Sequence, residues 1–262
     1  LFSASLEQAM REVDWTTYGI DVNGQKLSHL RFADDIVFCS ETPREAEEML
    51  EKLDACTRPY GLRLNLQKTV VMRNRFADTS PVKLNTQTLP EVDSFIYLGR
   101  ELNMQKELGP EILRRQQSGW AAFNRLLPIL KSIRDQKLRG NFFDTTVLSA
   151  MIYASETWSF TEKTERKLRA TQGHMMRRLL GLTIKQQRDR GLHNSDLREL
   201  LKMKNVVVEA DHRKHTWAGH VSRRQDGRWT TALTSWILPY KRPVCRYAAL
   251  PSTGPTPSVT VT

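Results

Sequence analysis

The chain has 262 residues, 39% of them hydrophobic, and its 40 basic against 29 acidic side chains give a formal net charge of +11. That length suffices for a buried core and two subdomains. The sequence contains no apolar run of about 18 residues, which excludes a membrane-spanning helix, and no secretory signal opens it.

The first informative stretch runs from Leu27 to Ser40. Leu30 and Phe32 fall on one strand face before the pair Asp34-Asp35, and Ile36 and Phe38 do so after it. The alternation predicts two short strands joined by a tight turn. Two adjacent carboxylates at the tip of a buried hairpin repel each other and lose hydration, so a positive charge is expected there. Magnesium, a hard cation that takes oxygen ligands, suits the position. Two such ions can activate an attacking hydroxyl and stabilise a leaving group, as phosphoryl transfer requires. Ordinary turn chemistry is the plain alternative for an Asp-Asp pair.

Thr42-Pro43-Arg44-Glu45 predicts a helix start with a capping box and proline at the first position. Ala46, Met49, Leu50, Leu53 and Cys56 then form an apolar helical stripe, and Gly61 is expected as its left-handed cap. Short strands are expected over 62–66 and 70–72, and another apolar piece, Phe95 to Gly99, follows a polar loop. Further helices are expected over 111–127, ended or kinked by Pro128, over 144–154, and from Thr161 through Arg177-Arg178 to Gly181. Burial in a helical core is the expected role of Trp120, Trp158 and Trp217, with stacking on bases the alternative.

His212, His215 and His220 lie close together beside Asp211, but they lack the cysteine partners of a zinc finger. His220 is expected to contact a phosphate or cap a helix. Cys39, Cys56 and Cys245 are scattered without pairing, which fits a reducing compartment. Beyond Pro239 the composition turns to Pro, Ser, Thr and Val, and a disordered or decayed tail is expected over 238–262.

Charge divides the chain. Residues 1–110 carry 13 basic and 17 acidic side chains, net −4, whereas residues 111–262 carry 27 and 12, net +15. A cationic half suits a polyanionic duplex, because phosphate neutralisation releases counterions. A solvated basic surface is the bland alternative. The charge is concentrated at Arg114-Arg115, Lys163 to Arg169, Arg177-Arg178 and Arg223-Arg224.

In order and spacing, FADDIVF (32–38), GLRLNLQKTVVM (61–72) and FIYLGREL (95–102) resemble the palm of reverse transcriptases from non-LTR (LINE) retrotransposons. Leu1 to Met10 resembles the helix after that family's template-contacting loop. Later stretches around Trp158, 174–182 and 217–229 resemble RTE-like elements, so the similarity spans about residues 1 to 237.

The resemblance implies an α+β fold, with a partial palm over 1–103 and a helical basic thumb and linker over 104–237. It implies RNA-directed DNA polymerase (nucleotidyltransferase) chemistry. Asp34 and Asp35 would hold Mg2+ and Lys68 would stand near the nucleotide phosphates. Tyr97, Leu98 and Gly99 would grip the primer. Arg114, Arg115, Arg177, Arg178, Arg223 and Arg224 are the expected nucleic-acid contacts. An RNA template with its DNA primer, or the RNA–DNA hybrid, and deoxynucleotides are the expected partners, in the nucleus or a cytoplasmic ribonucleoprotein. The family also carries a third metal-binding aspartate on a strand upstream of the acidic hairpin, and fingers before it. Neither Asp14 nor Asp21 suits that role, so the chain is expected to be an inactive fragment by itself, with a non-catalytic nucleic-acid-binding remnant as the alternative.

Overall fold

The computed structural model describes residues 2–236 and the backbone of 258–261. The expected tail therefore lies mostly outside the described residues, as does Cys245. The fold is α+β: helices joined to small antiparallel strands. It divides into two compact units. The first comprises Leu1–Phe95, Leu102–Lys106 and Gln225–Thr262, and the second Ile96–Glu101 and Glu107–Arg224.

The first unit opens with α1 (Phe2–Arg11), followed by a hairpin of β1 (Ile20–Val22) and β2 (Gln25–Leu27). Its turn is Asn23-Gly24, both at positive φ, the conformation that matches strand twist in two-residue hairpins. A second hairpin, β3 (His29–Phe32) and β4 (Asp35–Ser40), carries the acidic pair, with Phe32 opposite Asp35 and Leu30 opposite Val37. α2 (Pro43–Thr57) then packs on the sheet through Ala46, Met49, Leu50 and Leu53, all fully buried against Ile36 and Phe38.

Thr42 caps α2 by accepting the Glu45 N–H at 3.1 Å. The expected reciprocal box does not close. The Glu45 carboxylate instead accepts the N–H groups of Glu41 and Gly19, each at 2.6 Å, and so ties the helix start to the loop before β1. Gly61 is left-handed at φ 73°, but it caps a 3-10 turn over 58–60 rather than α2 itself.

β5 (Val70–Met72) forms as expected, whereas 62–66 is not a strand; it has no pairing partner and folds into a turn at Leu66. β6 (Lys83–Leu84) pairs with β7 (Gln87–Thr88), and β8 (Ser94–Tyr97) with β9 (Arg100–Asn103). Ser258–Val261 forms β10, antiparallel to both β4 and β5, and gives the sheet order β3-β4-β10-β5. This strand lies where no order was expected. Its Val-Thr-Val run has high strand propensity, and the facing edges of β4 and β5 offer backbone groups to pair. α10 (Trp229–Ser235) packs against Val22, Leu27 and Cys39 through Trp229 and Ala232.

The second unit is helical. α3 (Gly109–Ser132) runs through Pro128 instead of ending there. Proline removes one helical hydrogen bond, but Leu130 two residues on is fully buried, and that packing holds the helix together. α4 (Gln136–Phe142), a π-turn over 143–148 and α5 (Ser149–Met151) form one continuous rod. α6 (Glu162–Leu180) starts at a closed capping box between Thr161 and Thr164 and stops at left-handed Gly181. α7 (Ile184–Asp189), α8 (Asn194–Leu201) and α9 (Val206–Ser222) complete the unit. Phe123, Phe143, Met151, Trp158, Leu168 and Met175 form its fully buried centre. Among the described residues no helix is long and apolar enough to cross a membrane.

His29 and Asp144 are expected to give opposite responses to acid in the two units. In the first, burial and then the Arg31 charge push the His29 imidazole down to about 4. The unfolded chain then takes up this proton first, so stability falls as pH drops from about 6.5 towards 4, by up to about 3 kcal/mol. In the second, burial raises the Asp144 carboxyl to about 6, although it accepts the Lys204 N–H. Its ionisation is penalised only when folded, so that unit loses stability as pH rises from about 4 to 6. Hydrogen exchange at pH 7 and pH 5, corrected for intrinsic rates, is expected to show α2 amides less protected in acid and α6 amides more protected. Shifts of the same sign in both helices would refute the assignment.

Candidate active site

In the first unit the acidic pair sits at an exposed tip, not a buried one. Ile36, Val37 and Phe38 are buried, whereas Phe32 is 62% exposed and both aspartates face solvent. Water therefore relieves the repulsion that burial would have imposed on the two charges. Ala33 makes the turn at φ 54°, a left-handed conformation uncommon for a residue with a Cβ. Among the described residues neither carboxylate has a hydrogen-bond or ion-pair partner; nearby Arg31 pairs instead with Glu7 at 2.9 Å.

Asp34 and Asp35 line a cavity of about 610 Å³ with Lys68, Arg63, Asn65 and Gln67. The chain reaches this arrangement through Asn65. Its side chain accepts the Gln67 N–H at 3.1 Å, and its carbonyl accepts the N–H groups of Lys68 and Thr69, each at 3.0 Å. This Asx-type turn projects Lys68 at the end of an irregular stretch. Leu62, Leu64 and Leu66 are half-buried while Arg63, Asn65 and Gln67 are exposed, so alternation survives without strand pairing. Arg63 and Asn65 were missed as site residues; that alternation was the available signal. The cavity thus sets two carboxylates beside two cations, none of them in an ion pair among the described residues.

Two exposed carboxylates fit a magnesium ion that keeps water and takes phosphate oxygens as its other ligands. They do not by themselves make a site bridging two ions. Among the described residues no three His, Cys, Asp or Glu side chains cluster to hold a metal, and this includes the histidines of α9.

The family model described as reverse transcriptase (RNA-dependent DNA polymerase) matches residues 1–102, the segment that contains this cavity. A transposon-derived protein of Caenorhabditis elegans is 45% identical over 219 residues, covering 82% of this chain and 78% of that protein. This chain belongs to the reverse transcriptase family. No solved structure matches it. Members of the reverse transcriptase family act on nucleic acid with divalent metal.

Tyr97, Leu98 and Gly99 belong to the second unit, at the turn between β8 and β9, where Leu98 and Gly99 both have positive φ. The turn is held by its carbonyls. Leu98 O accepts the Tyr153 hydroxyl at 3.1 Å, and Gly99 O accepts from both Arg114 and Arg115. Glu111, 1% exposed, completes the cluster: its carboxylate lies 3.0 Å from Arg114 and 3.1 Å from Arg115, and accepts the Glu101 N–H at 2.9 Å. Burial, and then the Arg114 charge, lower the Arg115 pKa.

Of the six arginines expected on nucleic acid, Arg114 and Arg115 thus spend their donors inside the unit. Arg177 is buried as well and donates to Gln187 at 3.0 Å. Arg178 is exposed, donates to Asn124 at 2.8 Å and lies 5.9 Å over the Trp120 ring. Arg224 approaches His220 Nε2 at 2.8 Å, and Arg223 is exposed. In the 163–169 run, Arg166 and Arg169 pair with Glu162 and Glu165, leaving Lys163 and Lys167 exposed.

Proposed function

We propose that the cavity at the acidic hairpin is the nucleotide site of an RNA-directed DNA polymerase from a non-LTR, RTE-like retrotransposon. In that chemistry a primer 3′-hydroxyl attacks the α-phosphate of a deoxynucleotide and pyrophosphate leaves. The observation that carries the reading is the meeting of Asp34, Asp35 and Lys68 in one cavity. Asp34 and Asp35 would hold magnesium, which when bound supplies positive charge to a triphosphate. Lys68 would pair with the leaving phosphates and Arg63 would add a second cation. Asn65 fixes the turn that aims Lys68. Tyr97, Leu98 and Gly99 would position the primer, on a turn whose carbonyls are already held by Arg114, Arg115 and Tyr153.

A second reading, a nucleic-acid-binding remnant without catalysis, is favoured by the lack of a third carboxylate beside Asp34 and Asp35 among the described residues. One experiment addresses both. The purified chain is expected to bind a deoxynucleoside triphosphate in magnesium, about tenfold or more weakly after Asp34→Ala or Lys68→Ala, since each removes a charge-assisted contact. No extension of a DNA primer on an RNA template is expected. Nucleotide binding indifferent to both substitutions would refute the nucleotide site. Extension abolished by Asp34→Ala would refute the remnant.

A further inference from the structure

The second unit contains another cavity, of about 740 Å³, that the nucleotide site does not use. One wall is a face of α9 bearing His212, Arg213, Thr216, Trp217 and His220, with Arg223 at the C-cap of that helix; the other is the short turn from Ala154 to Thr157. Spacings of three and four residues place those side chains on one stripe of the helix. Trp217 is 39% exposed, whereas Trp158 in the same unit is fully buried. α9 anchors itself in the core through Val206, Val207, Ala210 and Val221, so the indole of Trp217 is not needed for packing.

Arg223 forms no ion pair among the described residues. Its guanidinium lies back along the helix over Gly219, where an added Cβ would stand 3.1 Å from Nη1. Glycine at 219 therefore leaves the room that the arginine occupies. Arg213 also lines the cavity, but its guanidinium is engaged, donating to Ser149 Oγ at 3.1 Å and facing Glu209 at 3.9 Å. Glu156 is the carboxylate of the lining, set against the two arginines and two histidines.

We propose that this cavity binds single-stranded nucleic acid, with a base stacked on Trp217 and its phosphate held by Arg223. An open indole beside a free guanidinium is the pairing that single-strand sites use, because stacking needs an uncovered base face and phosphate needs a cation. A duplex covers its base faces, so the site selects unpaired strand. The volume is that of a pocket for a ligand of nucleotide size. The inference rests on the nucleic-acid reading of this chain, but names a different form of the polymer and a different place.

The full chain is titrated separately with a fluorescent oligothymidylate and with a blunt RNA–DNA hybrid of equal length. Trp217→Ala is expected to weaken oligothymidylate binding about tenfold, with Trp217→Phe retaining most of it and hybrid binding unchanged. Arg223→Ala should lower the salt slope for the oligothymidylate by about 0.7. A 5-iodouracil-substituted oligonucleotide should crosslink to α9 on irradiation of the wild-type chain. Oligothymidylate binding unchanged in Trp217→Ala, or crosslinks falling wholly outside α9, would overturn the site even if hybrid binding persists. Trp217-dependent oligothymidylate binding in a chain that ignores the hybrid supports the site and removes instead the expected hybrid binding.

Discussion

Raising salt from 50 to 200 mM is expected to weaken binding of this chain to an RNA–DNA hybrid by about 10³- to 10⁵-fold if six to ten phosphates are contacted. The motivation is the net +15 of residues 111–262. Its exposed cations are the ones that can release counterions: Arg178, Arg223, Lys163 and Lys167 are exposed, whereas Arg115 and Arg177 are buried. Alanine at Arg178 should therefore lower the slope of log affinity against log salt by about 0.9 on a B-form duplex, and by a similar step on the hybrid. Alanine at Arg177 should leave the slope alone and lower stability, because that guanidinium donates to Gln187 inside the fold. Affinity should vary little with sequence, since phosphate contacts position a duplex without reading it. A flat salt dependence would show the cationic surface to be merely solvated.

The second large effect concerns Glu111. Glu111→Ala is expected to destabilise the second unit by about 3–5 kcal/mol, because it leaves the buried Arg115 charge without its carboxylate. Arg114 and the Glu101 N–H lose an acceptor, and Arg115 loses its counter-charge. Glu111→Gln should fall between, keeping an acceptor while losing the charge. Adding Arg115→Met to Glu111→Ala should recover part of the loss, since a buried pair replaced by apolar side chains costs less than a broken one. Urea denaturation followed by far-ultraviolet circular dichroism measures this. A loss below about 1 kcal/mol for Glu111→Ala would mean that water reaches the cluster and screens it. Because the same cluster holds the carbonyl of Gly99, hydrogen exchange around Leu98 to Arg100 should quicken in the variant.

Much of the local structure was legible in the sequence. Thr42 and Thr161 mark helix starts and Gly181 a helix end because caps are made between residues three or four apart. The acidic hairpin was legible for a related reason, since period-two alternation around a turn residue needs no knowledge of the partner sheet. Of the two outcomes expected at Pro128, a helix end does not occur, because its local cost is offset by the burial of Leu130, which depends on distant helices. Glu45 was half-read: its position predicted the cap, but its carboxylate reaches Gly19, 26 residues away.

What the sequence by itself determined is the family, the helix boundaries with cap chemistry and the hairpin that carries Asp34 and Asp35. Each rests on neighbours along the chain or on the spacing of motifs. Tertiary structure alone decided which arginines are available, for Arg177 and Arg178 are adjacent in sequence yet one is buried and the other exposed. It also decided that Lys68 and Arg63 share a cavity with the aspartates, that β10 lies between β4 and β5, and that Trp217 is open while Trp158 is enclosed. The physical reason is common to all of these. Burial and long-range pairing are set by the packing of segments far apart in the chain; periodicity marks the apolar face of a segment, but neither it nor charge specifies what will cover that face or which polar side chains stay accessible.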